Sequence, residues 1–288
     1  MTPGICDARS VAEDKPRFSV VIPTFNRSEW LDRAVRSVLD QTVSDVECIV
    51  VDDASPTPVE VSEPGVRVVH RAENGGTAAA RNSGLRAARG EWITFLDDDD
   101  YFLDDRLEIT LPLLETNDTV VCWELRSEGS PYRSAILAGD VRSTILNAPV
   151  PHTGATLVRR EIVPEFDEGL RCGEDAEWWL RLAAVGTVAT AHRYGLVRNI
   201  HDGPRPTKSS RARLDARMKI MTMHADYFAT NRRASAAQWR MVAYYARRSG
   251  ERQAARRALV RSLFRFPSKR AAVALARTFT AAGATEAG

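Results

Sequence analysis

Cysteine is scarce in this 288-residue chain: Cys6, Cys48, Cys122 and Cys172 stand apart, and no CxxC pair occurs. That pattern excludes a disulfide framework and a cysteine-built zinc site, and it fits free thiols in a reducing cytosol. Long apolar runs are missing as well. No stretch approaches the ~20 residues that span a bilayer. The polar opening, residues 1–17, lacks the apolar centre of a signal peptide and reads as a flexible lead-in. Neither GxGxxG nor GxxxxGK[ST] is present, which argues against a nicotinamide enzyme and a P-loop kinase.

Charge of both signs is present, but unevenly placed. Residues 205–288 carry 19 Lys/Arg against 4 Asp/Glu, and residues 1–204 carry 21 against 34. The chain therefore divides into an acidic part able to hold a cation and a basic part able to meet an anionic surface. Hydrophobic residues make up 44% of the chain, enough for a core without metal or disulfide staples.

Short β-branched runs alternate with helical periodicity. Strands are expected at Phe18–Ile22, Val46–Val51, Val66–Val69 and Trp92–Leu96, with helices at Trp30–Leu39 and Ala78–Ala88 between them. Gly90 reads as the stop of the second helix. Further on come a helix over Leu103–Leu114, strands at Val120–Leu125, Thr153–Val158 and Val188–Val197, and a helix over Ala176–Ala184. After Arg211 the pattern becomes helical, and the pair around Gly250 resembles a single helix-turn-helix repeat. Alternating strands and helices predict a mostly parallel α/β sheet.

Polar residues follow each strand: Asn26, Asp53, Asn74 and Asp99 converge on one rim, where open α/β sheets bind ligands. The last strand runs straight into Asp97-Asp98-Asp99-Asp100. Four unneutralised carboxylates at a strand end repel one another and call for a cation. Taken alone, the stretch is equally compatible with a solvated acidic turn before a helix.

Six motifs in order give the chain a resemblance to family 2 glycosyltransferases of the GT-A nucleotide-diphospho-sugar transferase fold. They are Val20-Val-Ile-Pro-Thr-Phe-Asn-Arg27, Val51-Asp-Asp-Ala-Ser55, Asn74-Gly-Gly, Ala80-Arg-Asn-Ser-Gly84, Phe95-Leu-Asp-Asp-Asp-Asp100, and Gly173-Glu-Asp175 ahead of Trp178-Trp-Leu-Arg-Leu182. The resemblance covers about Phe18 to Ser210, implying a transferase domain over 18–210 and a basic helical appendage over 211–288. It implies inverting, metal-dependent transfer of a sugar from a UDP-, GDP- or dTDP-sugar to an acceptor that is a glycan, a lipid-linked sugar, a natural product or a peptide.

The resemblance also assigns residues. Asp99 is the expected ligand of Mn²⁺ or Mg²⁺, hard cations suited to oxygen donors. His201 is expected to complete that shell or to reach the diphosphate. Asp97 and Asp98 face the donor, and Asp100 caps the next helix. Pro23, Thr24, Phe25 and Asn26 line the nucleotide pocket, Phe25 either against the base or in the core. Asp53 meets the base, Asn74 belongs to the same rim, and Asp52 supports its turn. Arg81 binds donor phosphate or braces Asp99. Asp175 is the expected general base, and Glu174 orients the acceptor or Asp175; without the resemblance the pair would read as helix caps. His152 lines the acceptor side. Of Trp178 and Trp179, one stacks on a sugar and the other is core.

Two other readings remain. A sugar-1-phosphate nucleotidyltransferase uses a similar sheet but expects a glycine-rich loop where Pro23-Thr-Phe-Asn-Arg27 stands. The basic helices would let a non-catalytic protein bind nucleic acid, but their arginines alternate around helix faces, which disfavours that use. That leaves a packing, dimer or membrane role, the last at the inner face; clasping a second subunit or gating the acceptor site suits the helices better.

Overall fold

The computed structural model describes residues 15–132, 136–147, 149–199 and 209–280. Its centre is a sheet built from two halves with different strand polarity. β1 (Phe18–Thr24), β2 (Val46–Asp52), β3 (Val66–His70) and β4 (Trp92–Phe95) run parallel in the order β3-β2-β1-β4. The order then continues β8-β6-β9-β5. In this half β8 (Thr156–Arg159) lies antiparallel to β4 and to β6 (Thr119–Arg126). β9 (Val188–Arg198) runs parallel to β6, β5 (Tyr101–Phe102) closes the edge antiparallel to β9, and β7 (Pro131–Tyr132) pairs antiparallel with β6 off the main path. The sheet is thus parallel over its first four strands and mixed beyond them.

β1 and β2 are buried along almost their whole length, as expected of strands covered on both faces. α1 (Ser28–Leu39) lays Leu31, Ala34, Val35 and Val38 on one face, against Val20, Ile22 and Val50. α2 (Thr77–Ala87) covers the other face. Its approach needs a glycine: a Cβ on Gly84 would stand 2.2 Å from Val21 Cγ1. Gly90, read from sequence as a helix stop, lies beyond the end of α2. A Cβ there would meet Ser19 Oγ at 2.5 Å, so a close backbone approach explains it.

The segment 103–114 departs from expectation. Only Glu108–Leu113 is helical, as a 3-10 turn containing Pro112, and Tyr101–Phe102 is strand. Proline lacks the donor that an α-helix interior requires.

α3 (Glu174–Leu182) packs on the α2 face of the sheet. α4 (Ser210–Met223) and α5 (Ala225–Thr230) pack behind it, with Ala216, Ile220 and Phe228 in the same core as Trp178, Trp179 and Phe95. Glu177 of α3 is 1% exposed and is held by Arg181 at 2.6 Å and His224 Nε2 at 3.0 Å, so a polar contact also crosses this seam. α6 (Arg232–Arg248), α7 (Arg252–Arg265) and α8 (Lys269–Thr280) build a separate small core around Ala246, Ala255 and Leu259. No described helix is long and apolar enough to cross a membrane.

Candidate functional site

The parallel strands end side by side, so their loops form one rim. At the β2 end the acidic side chains are consumed by the chain itself. Asp52 accepts from the Ser55 and Val59 amides and contacts His70 Nδ1. Burial works against its charge, but these contacts hold it below the usual carboxylate range. Asp53 Oδ1 accepts from Arg71 Nε at 2.7 Å and the Gly75 amide at 3.0 Å, and Oδ2 from the Gly76 amide at 2.7 Å. Asn74 Nδ2 donates to the Asp53 carbonyl. A carboxylate has about four acceptor sites, so Asp53, expected to meet a base, keeps one. Asn26 adopts a left-handed conformation (φ 54°), and its amide donates to Ser55 Oγ. Phe25 beside it is 44% exposed, which removes the core reading. Pro23 and Thr24 are buried.

At the β4 end charge is in excess. Thr24 Oγ1 donates to Asp98 Oδ2 at 2.8 Å, and Arg27 Nη1 reaches both Asp98 at 3.3 Å and Asp99 at 3.1 Å. Burial, together with neighbouring Asp99 and Asp97, pushes Asp98 up to about 6 despite Thr24 and Arg27. Asp100 is buried and caps no helix. It precedes β5, and its carboxylate accepts the Asn199 amide at 2.8 Å. Burial raises it to about 7, with Asp97 and Asp99 adding to the effect against His152.

Arg81, 2% exposed, joins this loop to α3. Its guanidinium donates to Asp97 Oδ1 at 2.7 Å and to Asp175 Oδ1 at 3.1 Å, and it lies over the Phe166 ring at 5.1 Å. The arginine therefore braces Asp97 and Asp175 rather than Asp99. Burial opposes the charge of Asp97, but Arg81 and His152 hold it well below the usual range. The rest of the Ala80–Gly84 motif is structural: Asn82 ties down the Phe166 backbone through both ends of its amide, and Ser83 accepts from Arg71.

Gly173 turns the chain into α3 with φ 77°, a left-handed conformation natural to glycine. That places Glu174 and Asp175 in the first helical turn. Burial, reinforced by Asp175, pushes Glu174 up to about 7. Trp178 and Trp179 are both fully buried, donating to the carbonyls of Pro164 and Pro151, so neither offers a face to a sugar.

His152 brings its Nε2 to 3.3 Å from Asp97 Oδ2. Burial lowers its basicity, yet Asp97 raises it to about 9. Among the described residues Asp97, Asp100 and His152 each place one ligand atom within 4.8 Å of the others, a set able to hold a metal ion. Two carboxylates and an imidazole suit Mn²⁺ or Mg²⁺ with further ligands from outside the chain. The expected ligand Asp99 faces Arg27, and His201 lies outside the described residues. Four site residues were missed or misread from sequence: Arg27, Asp100, His152 as a partner of Asp97, and Arg198. Arg198 lies 3.5 Å from Glu124 and feels Asp100 and Asp97. Arg27 had a legible signal, since it directly follows Asn26 after β1.

The chain resembles known proteins to different extents. An uncharacterized glycosyltransferase of Rickettsia felis is 32% identical over 199 residues, covering 63% of this chain and 32% of the relative. The chain thus spans about a third of the length of its Rickettsia relatives. A putative colanic acid biosynthesis glycosyl transferase, WcaA of Escherichia coli, is 26% identical over 242 residues, covering 75% of this chain and 84% of that protein. The crystal structure of S. aureus TarS 1–349 superposes with a TM-score of 0.67 at 18% identity, over 90% of this chain and 83% of that one. The same protein in complex with UDP-GlcNAc gives 0.66 at 17% identity, over 90% and 84%. These likenesses are of fold, and they agree with the GT-A architecture. The model of glycosyl transferase family 2 matches residues 19–165, and the chain belongs to that family.

Proposed function

We propose that the protein transfers a sugar, with inversion, from a nucleoside-diphosphate sugar to an acceptor hydroxyl, using Asp175 as general base. The observation that carries the reading is the pairing of Asp97 and Asp175 on one guanidinium, although 78 residues separate them in sequence. It sets the acidic loop beside a carboxylate at a helix start. TarS, with the same fold, forms a crystalline complex with UDP-GlcNAc, which supports a nucleotide-sugar donor here.

Inversion requires a base on the face opposite the leaving group. Asp175 takes the acceptor proton at its carboxylate, and Arg81 fixes where that carboxylate points. Glu174, poised near neutrality, hydrogen-bonds the acceptor. Thr24, Phe25, Asn26 and Asn74 line the nucleotide side, with Pro23 beneath and Asp53 shaping the wall through Arg71 and the Gly75–Gly76 amides. Asp98 and Asp99 present donor-side oxygens once Arg27 is drawn to phosphate. Asp97, Asp100 and His152 would hold the divalent cation, with Asp99 and His201 as the residues the family pattern adds. When bound, such a cation neutralises the departing diphosphate as a Lewis acid. Residues 18–210 carry this chemistry, and 211–288 form the appendage.

Titration calorimetry with UDP-, GDP- and dTDP-sugars in Mn²⁺ tests the proposal. One donor should bind saturably and release nucleoside diphosphate on acceptor addition, with binding lost in Asp99→Ala or Asp100→Ala. Folded protein that binds none of the donors would overturn it.

A further inference from the structure

Five basic residues of the C-terminal helices line a cleft between α6, α7 and α8 with a volume of about 490 Å³. Arg240 and Arg247 on α6 face Lys269 and Arg270 on α8 across it, and none of these four makes an ion pair among the described residues. The described carboxylates of the region do not neutralise them. Of its described carboxylates, Asp215 and Glu251 both pair with Arg211, and Asp226 lies on α5. Burial and the like charges of Arg270 and Arg233 hold the Arg240 guanidinium below its usual value, so cations are packed here against their mutual repulsion.

The wall between these charges is apolar. Leu259, Ala243 and Ala274 form the floor, and Val273 stands 51% exposed beside it. Phe279, one residue past the cleft-lining Thr278, is 60% exposed. Cations ringing an aliphatic floor match an anionic head group joined to acyl carbon. A single-stranded nucleic acid would want aromatic faces along a continuous track, and of the lining residues Tyr244 alone is aromatic.

We propose that the α6–α8 cleft docks the chain on a bilayer, with Arg240, Arg247, Lys269 and Arg270 receiving the phosphates of anionic lipids and Val273 entering the acyl boundary. The site is independent of the transfer reaction. It lies on the appendage whose first helices share a core with α3, so docking would hold the Asp175 side of the rim near the membrane.

Flotation of the full chain with vesicles tests this without any sugar donor. Vesicles of phosphatidylcholine with about 30% phosphatidylglycerol should carry the protein, those of phosphatidylcholine alone should not, and binding should fall as salt rises. Arg247→Gln with Arg270→Gln, both exposed positions, should lower the partition coefficient roughly 25-fold, about fivefold per cation. Arg36→Gln with Arg160→Gln, an equal charge loss elsewhere on the surface, should leave it within about twofold. Equal binding to both vesicle types, or equal loss in the two double variants, overturns the proposal. So does displacement from vesicles by a single-stranded oligonucleotide at matched salt.

Discussion

The two acidic clusters of the rim have the same residue type and opposite electrostatics. After β2, Asp52 and Asp53 are wrapped by amides, His70 and Arg71, and the carboxylates serve as loop anchors. After β4, Asp97 to Asp100 together with Glu174 and Asp175 outnumber Arg27, Arg81, His152 and Arg198, and three of them are pushed up by burial. A carboxylate that the chain satisfies stabilises the fold; one left in excess is available to a proton, a cation or a substrate. A bare count of aspartates cannot separate the two cases.

The largest expected effect falls on the charged side. Asp175→Asn should lower turnover about 10²- to 10⁴-fold, the usual contribution of a general base, with a nearly unchanged melting temperature. Turnover within tenfold of wild type would move the base elsewhere. The satisfied side should respond in stability instead. Asp53→Ala strips the acceptor from Arg71 and two amides and should cost about 2–4 kcal/mol by urea unfolding. A cost below about 1 kcal/mol would mean that the loop does not depend on it.

Saturating Mn²⁺ should stabilise wild type by about 2.7 kcal/mol at a hundred times its Kd, measured as a melting shift that Asp100→Asn and His152→Ala abolish. Without metal, Asp100→Asn should raise stability at pH 8 by about 1–2 kcal/mol, because it removes a buried charge while keeping an acceptor for the Asn199 amide. The smallest effect concerns pH. Asp98, Asp100 and Glu174 keep protons in the folded chain that the unfolded chain releases near pH 4. Their contribution to stability is therefore lost as pH rises from about 4 to 7. Glu174→Gln should flatten that decline by about 1 kcal/mol between urea midpoints at pH 5 and pH 8, and an unchanged slope would contradict it.

The parallel half was legible because its information is local: β-branched runs at 18–24, 46–52 and 92–95, each followed by polar residues. What escaped depends on distant partners. Asp100 looked like a helix cap because β5, which follows it, is two residues long and exists only by pairing with Val197 and Leu196. Of the adjacent tryptophans, the sequence leads one to expect a sugar contact for one and core for the other. Both are buried because the sheet and α4 enclose α3 from two directions. Arg81 had a recognisable motif, but its choice of Asp97 and Asp175 over Asp99 came only with the tertiary arrangement.

The seam between α3 and α4 carries a mechanical consequence. Glu177 is buried with Arg181 from its own helix and His224 from beyond α4, in a seam whose core includes Trp178, Ile220 and Phe228. Opening that seam would strand a carboxylate and expose aromatic surface, so α3 and α4 should lose hydrogen-exchange protection together as one cooperative unit. The helix that begins with Glu174 and Asp175 thus takes its stiffness from chain that follows it by more than thirty residues. The position of the Glu174–Asp175 end is set as much by the rear of the molecule as by the rim.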